Sequence, residues 1–473
     1  MRITSRPTVS ASVLGGTITL IEPGCPHGLA RPVSPWSGEE GTVGRVAVVG
    51  AGKMGLPLAA QFAAHGWEVT AVDVDESVVA AINAGRSHLA EEPGLAARVA
   101  EANAAGRLRA TTDGTAAARS ADVVVIIVPV VLDEAKQPDY RSMDAAVAAI
   151  GPGIHRGITV VFETTLPVGD TRARFAPALE AASGLAAERD FFVAFSPERL
   201  YTGAVFANLS TYPKLVGGIG PASTDRAARF YASVLDAEVV AMSSAEAAEL
   251  AKLAETTYRD VNIAFANELA RYADRIGLDL AEVIRAANSQ PYSHLHEPGI
   301  GVGGHCIPVY PHFLLSRAPE VRLAARSREV NDGQVEIALD ALRDALGSLR
   351  GAPVLVLGLT YRHGVKELAW SRALALIARL ADEGALVSAH DPLLSDAETA
   401  GCGAVPWAWG APSAARAIVV QTADPAFRAL DPAWFPALEV VVDGRNSLAD
   451  LVLPERVLVV GFGRPRRRGS RRA

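Results

Sequence analysis

The sequence of 473 residues predicts an α/β protein with two doubly wound parallel-sheet domains joined by a long central helix. From residue 45 onward, short apolar runs rich in β-branched residues alternate with helical segments, as in parallel sheets. Residues 243–276 contain neither Gly nor Pro and are rich in Ala, Leu and Glu, which indicates one long helix. Strand–helix alternation resumes at Pro353, which indicates a second sheet.

The first α/β domain is expected to span residues 44–242. Val46–Val49 is predicted to be a buried strand, Gly52–His65 the helix after it and Trp67–Asp73 a second strand, so that the three form a βαβ unit. Three further buried strands are predicted at Asp122–Val128, Ile158–Phe162 and Phe191–Phe195.

Residues 243–350 are expected to form a central helical region. Ser243 and Glu246 match the capping-box pattern of a helix start, and the helix is expected to continue to Ile276. At 1.5 Å per residue it would be about 45 Å long, enough to bridge two domains. A second helix is predicted at Leu280–Asn288, and a glycine-rich loop follows it over Pro298–Pro311.

The second α/β domain is expected to span residues 351–463. One helix is predicted at Ala373–Asp382. No G-x-G-x-x-G pattern follows the first strand of this domain, so a ligand different from that of the first domain is expected. The predicted strands are Val354–Leu357, Leu386–Ala389, Ala417–Gln421, Val440–Val442 and Val457–Val460.

The two ends of the chain are expected to lie outside these domains. Residues 1–43 are rich in Gly, Pro, Ser and Thr without a sustained period, which predicts a disordered extension or reflects a wrongly assigned start. Residues 464–473 carry a run of arginines, which predicts a solvated basic tail.

Composition excludes several classes of protein. A net charge of −7 argues against nucleic acid as the main partner. Cys25, Cys306 and Cys402 show neither metal-ligand spacing nor a disulfide framework. We therefore expect no metal site, and we expect the protein to lie in a reducing compartment, the cytoplasm. No apolar run approaches the roughly 20 residues that span a bilayer, and no signal-peptide pattern is present, so no membrane association is expected.

A dinucleotide site is predicted at the first strand–helix junction. Gly50-Ala51-Gly52-Lys53-Met54-Gly55 is a G-x-G-x-x-G pattern that follows a strand and opens a helix, a context typical of a Rossmann domain. The second domain is expected to be Rossmann-like in its strand–helix architecture alone. The glycines permit a tight turn, close approach of a pyrophosphate and helix–strand packing. Asp73, at the end of the next strand, would accept a ribose hydroxyl and repel a 2′-phosphate, which favours NAD over NADP. The predicted cofactor-binding residues are Gly50, Gly52, Lys53, Met54, Gly55 and Asp73; a glycine turn without a nucleotide is the alternative.

A nucleophile is predicted in the second glycine-rich segment. Gly301-Val302-Gly303-Gly304-His305-Cys306-Ile307-Pro308 places one cysteine in a loop whose backbone can approach a ligand closely. The alternative is a small buried hydrophobic cysteine. His305 either activates the thiol or is a structural loop residue.

Seven motifs in order give the chain a resemblance to a known family. They are Gly50–Gly55, Glu92-Pro93-Gly94-Leu95, Thr164-Thr165-Leu166-Pro167-Val168-Gly169, Ser196-Pro197-Glu198-Arg199, the segment from Tyr258 to Glu268, Gly301–Pro308, and Asp443-Gly444-Arg445-Asn446. Over about residues 44–461 the chain resembles the UDP-glucose/GDP-mannose dehydrogenase family of nucleotide-sugar 6-dehydrogenases. The form of the cysteine motif is similar to that of the UDP-N-acetylmannosamine and UDP-N-acetylglucosamine branch.

The resemblance implies a four-electron oxidation of a sugar 6-hydroxyl to a uronic acid through a cysteine thioester. Cys306 would be the nucleophile, and Lys252 would stabilise oxyanion charge. Glu198 would activate water, and Thr165 would help to order it. The implied catalytic residues are Cys306, Lys252, Glu198, Thr165 and Thr256, and the implied substrate-binding residues are Arg445, Gly303 and Arg362. A homodimer or higher homo-oligomer, with the long helix at the interface, is also implied.

These roles agree with the chemistry that the reaction needs, although each residue has a structural alternative. A thiolate is an effective nucleophile, a developing alkoxide needs a fixed cation nearby, and thioester hydrolysis needs a general base. The alternatives are a solvated helix lysine at Lys252, a capping or ion-paired carboxylate at Glu198, an ordinary strand-end residue at Thr165 and a surface arginine at Arg445.

The sequence departs from the family pattern at four places. Thr256 stands where the family has Asn, and Tyr310 where it has an Asp that would partner Lys252. Ala369, followed by the bulky Trp370, replaces an Arg, and Val130-Val131 replaces Thr-Pro. Three hypotheses therefore stay open: an active 6-dehydrogenase, a nucleotide-sugar-binding homologue with impaired catalysis, and a dehydrogenase of another alcohol.

Overall fold

A computed structural model gives the structure of the protein and describes residues 11–13, 16–18, 43–89 and 92–469. Within the predicted extension 1–43, β1 (Ala11–Val13) and β2 (Gly16–Ile18) pair as a short antiparallel hairpin. The expectation of disorder is therefore wrong for these six residues. The rest of that expectation, up to residue 42, lies outside the described residues.

The first domain is built on an eight-stranded sheet in the order β12-β11-β10-β9-β6-β3-β4-β5. All neighbours are parallel except β10 and β11, and apolar side chains pack on both faces. The five predicted strands are confirmed; four are shorter than predicted, as at Val123–Ile126, and the first is longer by Arg45. The elements, in chain order, are β3 Arg45–Val49, α1 Gly55–Ala64, β4 Glu68–Val72, α2 Glu76–Asn83, α3 Leu95–Ala104, β5 Leu108–Thr111, α4 Gly114–Ser120, β6 Val123–Ile126, β7 Val131–Leu132, β8 Pro138–Asp139, α5 Arg141–Ile150, β9 Thr159–Phe162, α6 Ala176–Ser183, β10 Phe192–Phe195, α7 Val205–Thr211, β11 Lys214–Gly218, α8 Pro221–Val234 and β12 Val239–Ala241.

The predicted central helix is α9, Ala245–Ile276, and it ends at Gly277, which has a φ of 73°. Its cap lies one residue after the predicted position: the Ser244 side chain, rather than that of Ser243, accepts the Ala247 N–H. Glu246 then falls in the first turn and pairs with Arg172 instead of completing a capping box, so that prediction was wrong by one residue.

Four helices follow the central one in the chain. The glycine-rich loop ends two residues earlier than predicted, because Tyr310 already begins a helix. The contacts of α9 are most extensive with α12, α11 and β11, so it joins the first domain to the segment that carries the cysteine loop. The helices of this region are α10 Leu280–Ala287, α11 Tyr310–Arg317, α12 Arg322–Asp332 and α13 Gln334–Leu346.

The C-terminal domain is a seven-stranded sheet in the order β15-β14-β13-β16-β17-β18-β19, parallel except for the last pair. In both large sheets the strand order reverses beside the first strand of the domain, and ligands bind at such switch points, outside the carboxyl ends of the strands. The elements are β13 Pro353–Leu357, α14 Arg372–Asp382, β14 Leu386–His390, α15 Asp396–Gly401, β15 Val405–Pro406, β16 Ala417–Val420, β17 Val440–Asp443, β18 Leu458–Gly461 and β19 Arg467–Arg468.

The predicted basic tail is folded as far as residue 469. Arg464 pairs with Asp279 at 2.9 Å, and Arg466 with Asp344 at 3.0 Å. Arg467 and Arg468 form β19 on the edge of β18. The tail therefore packs on the domain, because nearby carboxylates and an open strand edge provide partners, while Arg466 and Arg468 stay exposed to solvent as predicted; residues 470–473 lie outside the described residues.

Membrane-spanning helices, metal-binding clusters and the state of the cysteines can be judged over the described part of the chain. None of its helices is both long and apolar enough to cross a membrane. No group of three or more His, Cys, Asp or Glu side chains there is arranged to hold a metal ion. Cys306 and Cys402 are free thiols, and Cys25 lies outside the described residues.

Candidate active site

The glycine loop between β3 and α1 has the geometry that a dinucleotide pyrophosphate needs. Gly50 has a φ of 97°, and a Cβ at Gly55 would lie 1.7 Å from the carbonyl oxygen of Gly50, so both positions require glycine. A Cβ at Gly52 would meet nothing within 4 Å, so this backbone faces open space. The first N–H groups of α1 lack helical partners and can receive phosphate oxygens. The loop therefore fits the predicted cofactor.

Asp73 is held at the end of β4 by two backbone groups. Its Oδ2 accepts the N–H of Ala51 at 2.8 Å, and its Oδ1 accepts the N–H of Asp75 at 3.0 Å. The carboxylate therefore also ties the glycine loop to the second strand, a role that the sequence did not indicate. Its remaining lone pairs can accept a ribose hydroxyl.

We expect Asp73→Asn to narrow the difference in affinity between NAD and NADP. The amide oxygen keeps an acceptor for Ala51, but the charge that repels a 2′-phosphate is lost. Calorimetric titration of both cofactors against wild type and variant measures the effect. Asp73→Ala is the comparison that also releases the loop, so it should weaken both cofactors. Equal affinities of wild type for NAD and NADP would contradict the assignment.

The side chains of Lys53 and Met54 point away from the glycine loop. Lys53 Nζ lies 2.6 Å from Glu367 Oε2 of the C-terminal domain, and Met54 packs on the first core. Glu367 also faces His305 Nε2 at 3.4 Å, and the hydrogen bonds from His305 and then from Lys53 hold the pKa of its carboxyl well below the usual range. Any contribution of Lys53 and Met54 to cofactor binding would come through their backbone. Glu367 itself links the glycine loop to the cysteine loop.

The cysteine loop packs directly on the segment 361–371. The N–H of Gly304 donates to the carbonyl of Ala369 at 2.9 Å. A Cβ at Gly303 would lie 2.8 Å from the carbonyl oxygen of Trp370, so Gly303 is required by packing. The family-divergent residues Ala369 and Trp370 therefore contact the loop that carries Cys306, a half-buried thiol.

Tyr310 brings three of the predicted catalytic residues together. Thr165 and Cys306 are close enough to act on the pKa of its hydroxyl, and its ring centre lies 5.8 Å from Lys252 Nζ. Burial raises the pKa of Tyr310, so its hydroxyl remains a proton donor at neutral pH. Thr165 and Lys252 are themselves buried. The structural alternative of a solvated helix lysine at position 252 is therefore wrong.

Thr256 lies one turn after Lys252, but its hydroxyl is directed at the helix backbone. It donates to the carbonyl of Lys252 at 2.9 Å and also lies 3.2 Å from that of Leu253. Threonine hydroxyls bond in this way to the carbonyl four residues earlier because the helix brings the two groups together. Thr256 is thus beside the site, while its proton is engaged elsewhere.

Glu198 follows β10, its side chain is 13% exposed, and Lys252 acts on its carboxyl group. Its Oε1 accepts the N–H of Leu200 at 2.5 Å, and its Oε2 has no hydrogen-bond partner among the described residues. Burial raises the pKa of Glu198 to about 7, against the opposing effects of Lys214 and Lys252. A carboxyl that titrates near neutral pH is suited to accept a proton from water.

The predicted substrate arginines lie at the junction of the domains. Arg445 donates to the carbonyls of Gln421 at 2.9 Å and Gly301 at 3.0 Å, and burial lowers its pKa. Arg362 donates to the carbonyl of Thr202 in the first domain at 2.9 Å. Both guanidinium groups therefore link separate segments of the chain, and each has further N–H groups that could donate hydrogen bonds to a diphosphate.

Comparisons with known proteins agree with this architecture. Residues 44–235 match the NAD binding domain of the UDP-glucose/GDP-mannose dehydrogenase family, residues 246–332 its central domain and residues 355–450 its UDP binding domain. The chain is 33% identical over 433 residues to a UDP-N-acetyl-D-mannosamine dehydrogenase from Pyrococcus horikoshii, which covers 89% of this chain and 99% of the relative. It is 37% identical over 345 residues to an NDP-N-acetyl-D-galactosaminuronic acid dehydrogenase from Ralstonia nicotianae, which covers 72% and 80%.

Solved structures give the same result. That of UDP-D-ManNAc dehydrogenase from Pyrococcus horikoshii superimposes with a TM-score of 0.80 at 32% identity, over 89% of this chain and 99% of the other. The cofactor of the present chain is NAD, in keeping with the matched domain and the glycine loop. The chain therefore belongs to the UDP-glucose/GDP-mannose dehydrogenase family.

Proposed function

We propose that the protein oxidises the 6-hydroxyl of a nucleotide sugar, of the UDP-N-acetylhexosamine type, to a uronic acid through a thioester on Cys306. One observation carries the proposal: a free thiol, a buried lysine and a buried carboxyl with a pKa of about 7 share one site beside the NAD loop. Two relatives named for N-acetylated nucleotide sugars support this substrate class.

The residues divide the chemistry between them. When bound at the glycine loop, NAD supplies the hydride acceptor, and two NAD are used for each sugar. Lys252 stabilises negative charge on the sugar oxygen, and the Cys306 thiolate adds to the aldehyde carbon. Glu198 accepts a proton from the water that cleaves the thioester, with Thr165 placed to order that water.

The test is to count NADH formed per sugar consumed across a panel of UDP-sugars. Two NADH per sugar, with a uronic acid as product, is the expected result. One NADH per sugar would leave a simple alcohol dehydrogenase. Tight binding of a UDP-sugar without NADH would favour the binding-protein hypothesis that Thr256, Tyr310 and Ala369 keep open.

Tyr310→Asp is expected to slow turnover. From the family pattern alone, restoring the aspartate should raise the rate. The Tyr310 hydroxyl, however, has Cys306 and Thr165 within reach, and a carboxylate there would oppose formation of the thiolate and crowd Glu198. Tyr310→Phe, which removes only the hydroxyl, should lower kcat about tenfold, the effect of one hydrogen bond to a charged group. A Tyr310→Asp enzyme faster than wild type would support the family-based expectation instead.

We propose that two or more chains associate through the exposed face of α9. Tyr258, Phe265 and Tyr272 follow each other at intervals of seven residues, so they lie along one side of the helix. Each side chain is about half exposed, at 54%, 49% and 52%. A row of exposed aromatic side chains is typical of a protein interface. A solution mass of at least two chains, measured by sedimentation, would support this surface.

A further inference from the structure

A buried charged cluster lies beside Glu198. Lys214 Nζ lies 2.9 Å from Glu163 Oε2, and the side chains are only 8% and 0% exposed. Tyr231 on α8 donates its hydroxyl to Glu163 Oε1, and its ring centre lies 4.8 Å from Lys214 Nζ. The mechanism proposed above uses none of these three residues.

The sheet brings this cluster to Glu198. Glu163 and Glu198 follow the parallel strands β9 and β10, and the N–H of Glu198 donates to the carbonyl of Glu163 at 3.1 Å. The antiparallel register of β10 and β11 pairs Phe195 with Gly217; continued along both chains, it sets Glu198 opposite Lys214. Lys214 Nζ is accordingly 3.9 Å from Glu198 Oε2.

The lysine therefore lies between two carboxylates. Glu163 accepts a hydrogen bond from Lys214, whereas Glu198 Oε2 is buried and has no hydrogen-bond partner among the described residues. The other groups that act on Glu198 are Lys252 from α9, the N–H of Leu200, and the hydroxyls of Tyr231 and Tyr310. Among the described residues, the cations that act on its carboxylate are Lys214 and Lys252.

Stability alone gives little reason to keep such a pair. Burying two charges costs desolvation, and apolar residues of similar volume often replace a buried ion pair without loss. A fixed cation beside a catalytic carboxylate has a further effect, because it favours the ionised form and holds it in one orientation. This effect depends on the presence of the cation and hardly at all on the packing of its carbon chain.

We propose that Lys214, anchored by Glu163 and Tyr231, is a positioning residue that holds the Glu198 carboxylate ionised and oriented for thioester hydrolysis. The inference rests on the proposed function, since it assigns Glu198 as the base. Lys214 itself touches neither substrate nor cofactor in this assignment. Its removal should therefore affect the hydrolytic step and leave the first hydride transfer unchanged.

The test compares the pH profile of kcat in two variants. Glu163→Gln removes a negative neighbour of Glu198 and keeps an acceptor for Tyr231, so the acid limb should move to lower pH. Adding Lys214→Met to that variant removes the ammonium without leaving a buried carboxylate unpaired. The acid limb should then move to higher pH than in Glu163→Gln. A shift of one unit above about 7 lowers the ionised fraction of Glu198 at pH 7 about fivefold.

Two further measurements separate a positioning role from a structural one. The rate of first NADH formation in a single turnover should stay at the wild-type value in both variants. Lys214→Arg, made alone in the wild-type protein, keeps the positive charge and should therefore keep the wild-type acid limb. An acid limb in the double variant no higher than that of Glu163→Gln would overturn the inference. If the double variant unfolds, Lys214→Gln compared with wild type gives the same test.

The outcome is distinguishable from failure of the proposed function. If Glu198→Gln blocks hydrolysis while the Lys214 and Glu163 variants keep the wild-type profile, only this inference is wrong. If Glu198→Gln turns over at the wild-type rate, the assignment of the base is wrong, and the role of Lys214 is overturned with it.

Discussion

Replacing Cys306 with serine should lower steady-state turnover by at least about a thousandfold, because the reaction loses its ionisable nucleophile. A serine hydroxyl is not ionised near neutral pH, and an ester hydrolyses less readily than a thioester. Cys306→Ala should permit at most one hydride transfer per sugar, because no adduct can form for the second. The measurements are NADH per sugar and binding of the nucleotide sugar, which should survive in both variants.

Cys402→Ser is the matched control for these variants. Cys402 is also a free, half-buried thiol, but it lies in the C-terminal domain, where its Sγ is 3.3 Å from the carbonyl oxygen of Glu398. This variant should form two NADH per sugar at the wild-type rate. Full two-step turnover by Cys306→Ala would rule out the thioester and leave an oxidation through a free aldehyde.

Glu198→Gln should accumulate the thioester. The amide keeps the size of the side chain but cannot accept a proton, so hydrolysis should slow by about 10²–10⁴-fold. A burst of two NADH per active site should precede a slow steady state. Mass spectrometry of the denatured enzyme should then find the sugar on Cys306.

The same variant should remove the pH dependence of hydrolysis near neutrality. In wild type the base must be ionised, so hydrolysis should rise with pH through the pKa of Glu198, about 7, and fall below it. Glutamine has no such ionisation, so its residual rate should be flat over this range. A burst of one NADH, with no adduct on Cys306, would contradict the assignment of Glu198 to the second half of the reaction.

The sequence was sufficient for the parts of the structure that have a local signal. Alternation of apolar strands and helices predicted both sheets, and the absence of Gly and Pro predicted α9 to its last residue, Ile276. The glycine loop was predicted because the turn needs a positive φ at Gly50 and close packing at Gly55, and only glycine allows both. The helix cap was placed one residue early, because Ser243 and Ser244 adjoin and only the folded backbone selects between them.

Contacts between residues distant in sequence could not be predicted from local sequence patterns. Glu163 and Lys214 are 51 residues apart, and each stands singly at the end of an apolar strand, where a lone charge is usually solvated. The strand register that sets Lys214 opposite Glu198 would have been the signal, but it requires the pairing of β10 with β11. From the sequence, Tyr310 was likewise interpreted only as the loss of the family aspartate. The position of its hydroxyl near Cys306 depends on where α11 begins, which the sequence did not show.

The arginine-rich end of the chain also affects how the protein avoids aggregation. A parallel sheet that ends on an open strand presents unpaired N–H and C=O groups, which can template pairing with another molecule. Arg467 and Arg468 occupy that edge of β18 and add two positive charges to it. Charged residues on a very short final strand are a common way in which natural sheets prevent edge-to-edge stacking. Arg467 and Arg468 are thus expected to disfavour edge-to-edge pairing of this sheet with another molecule.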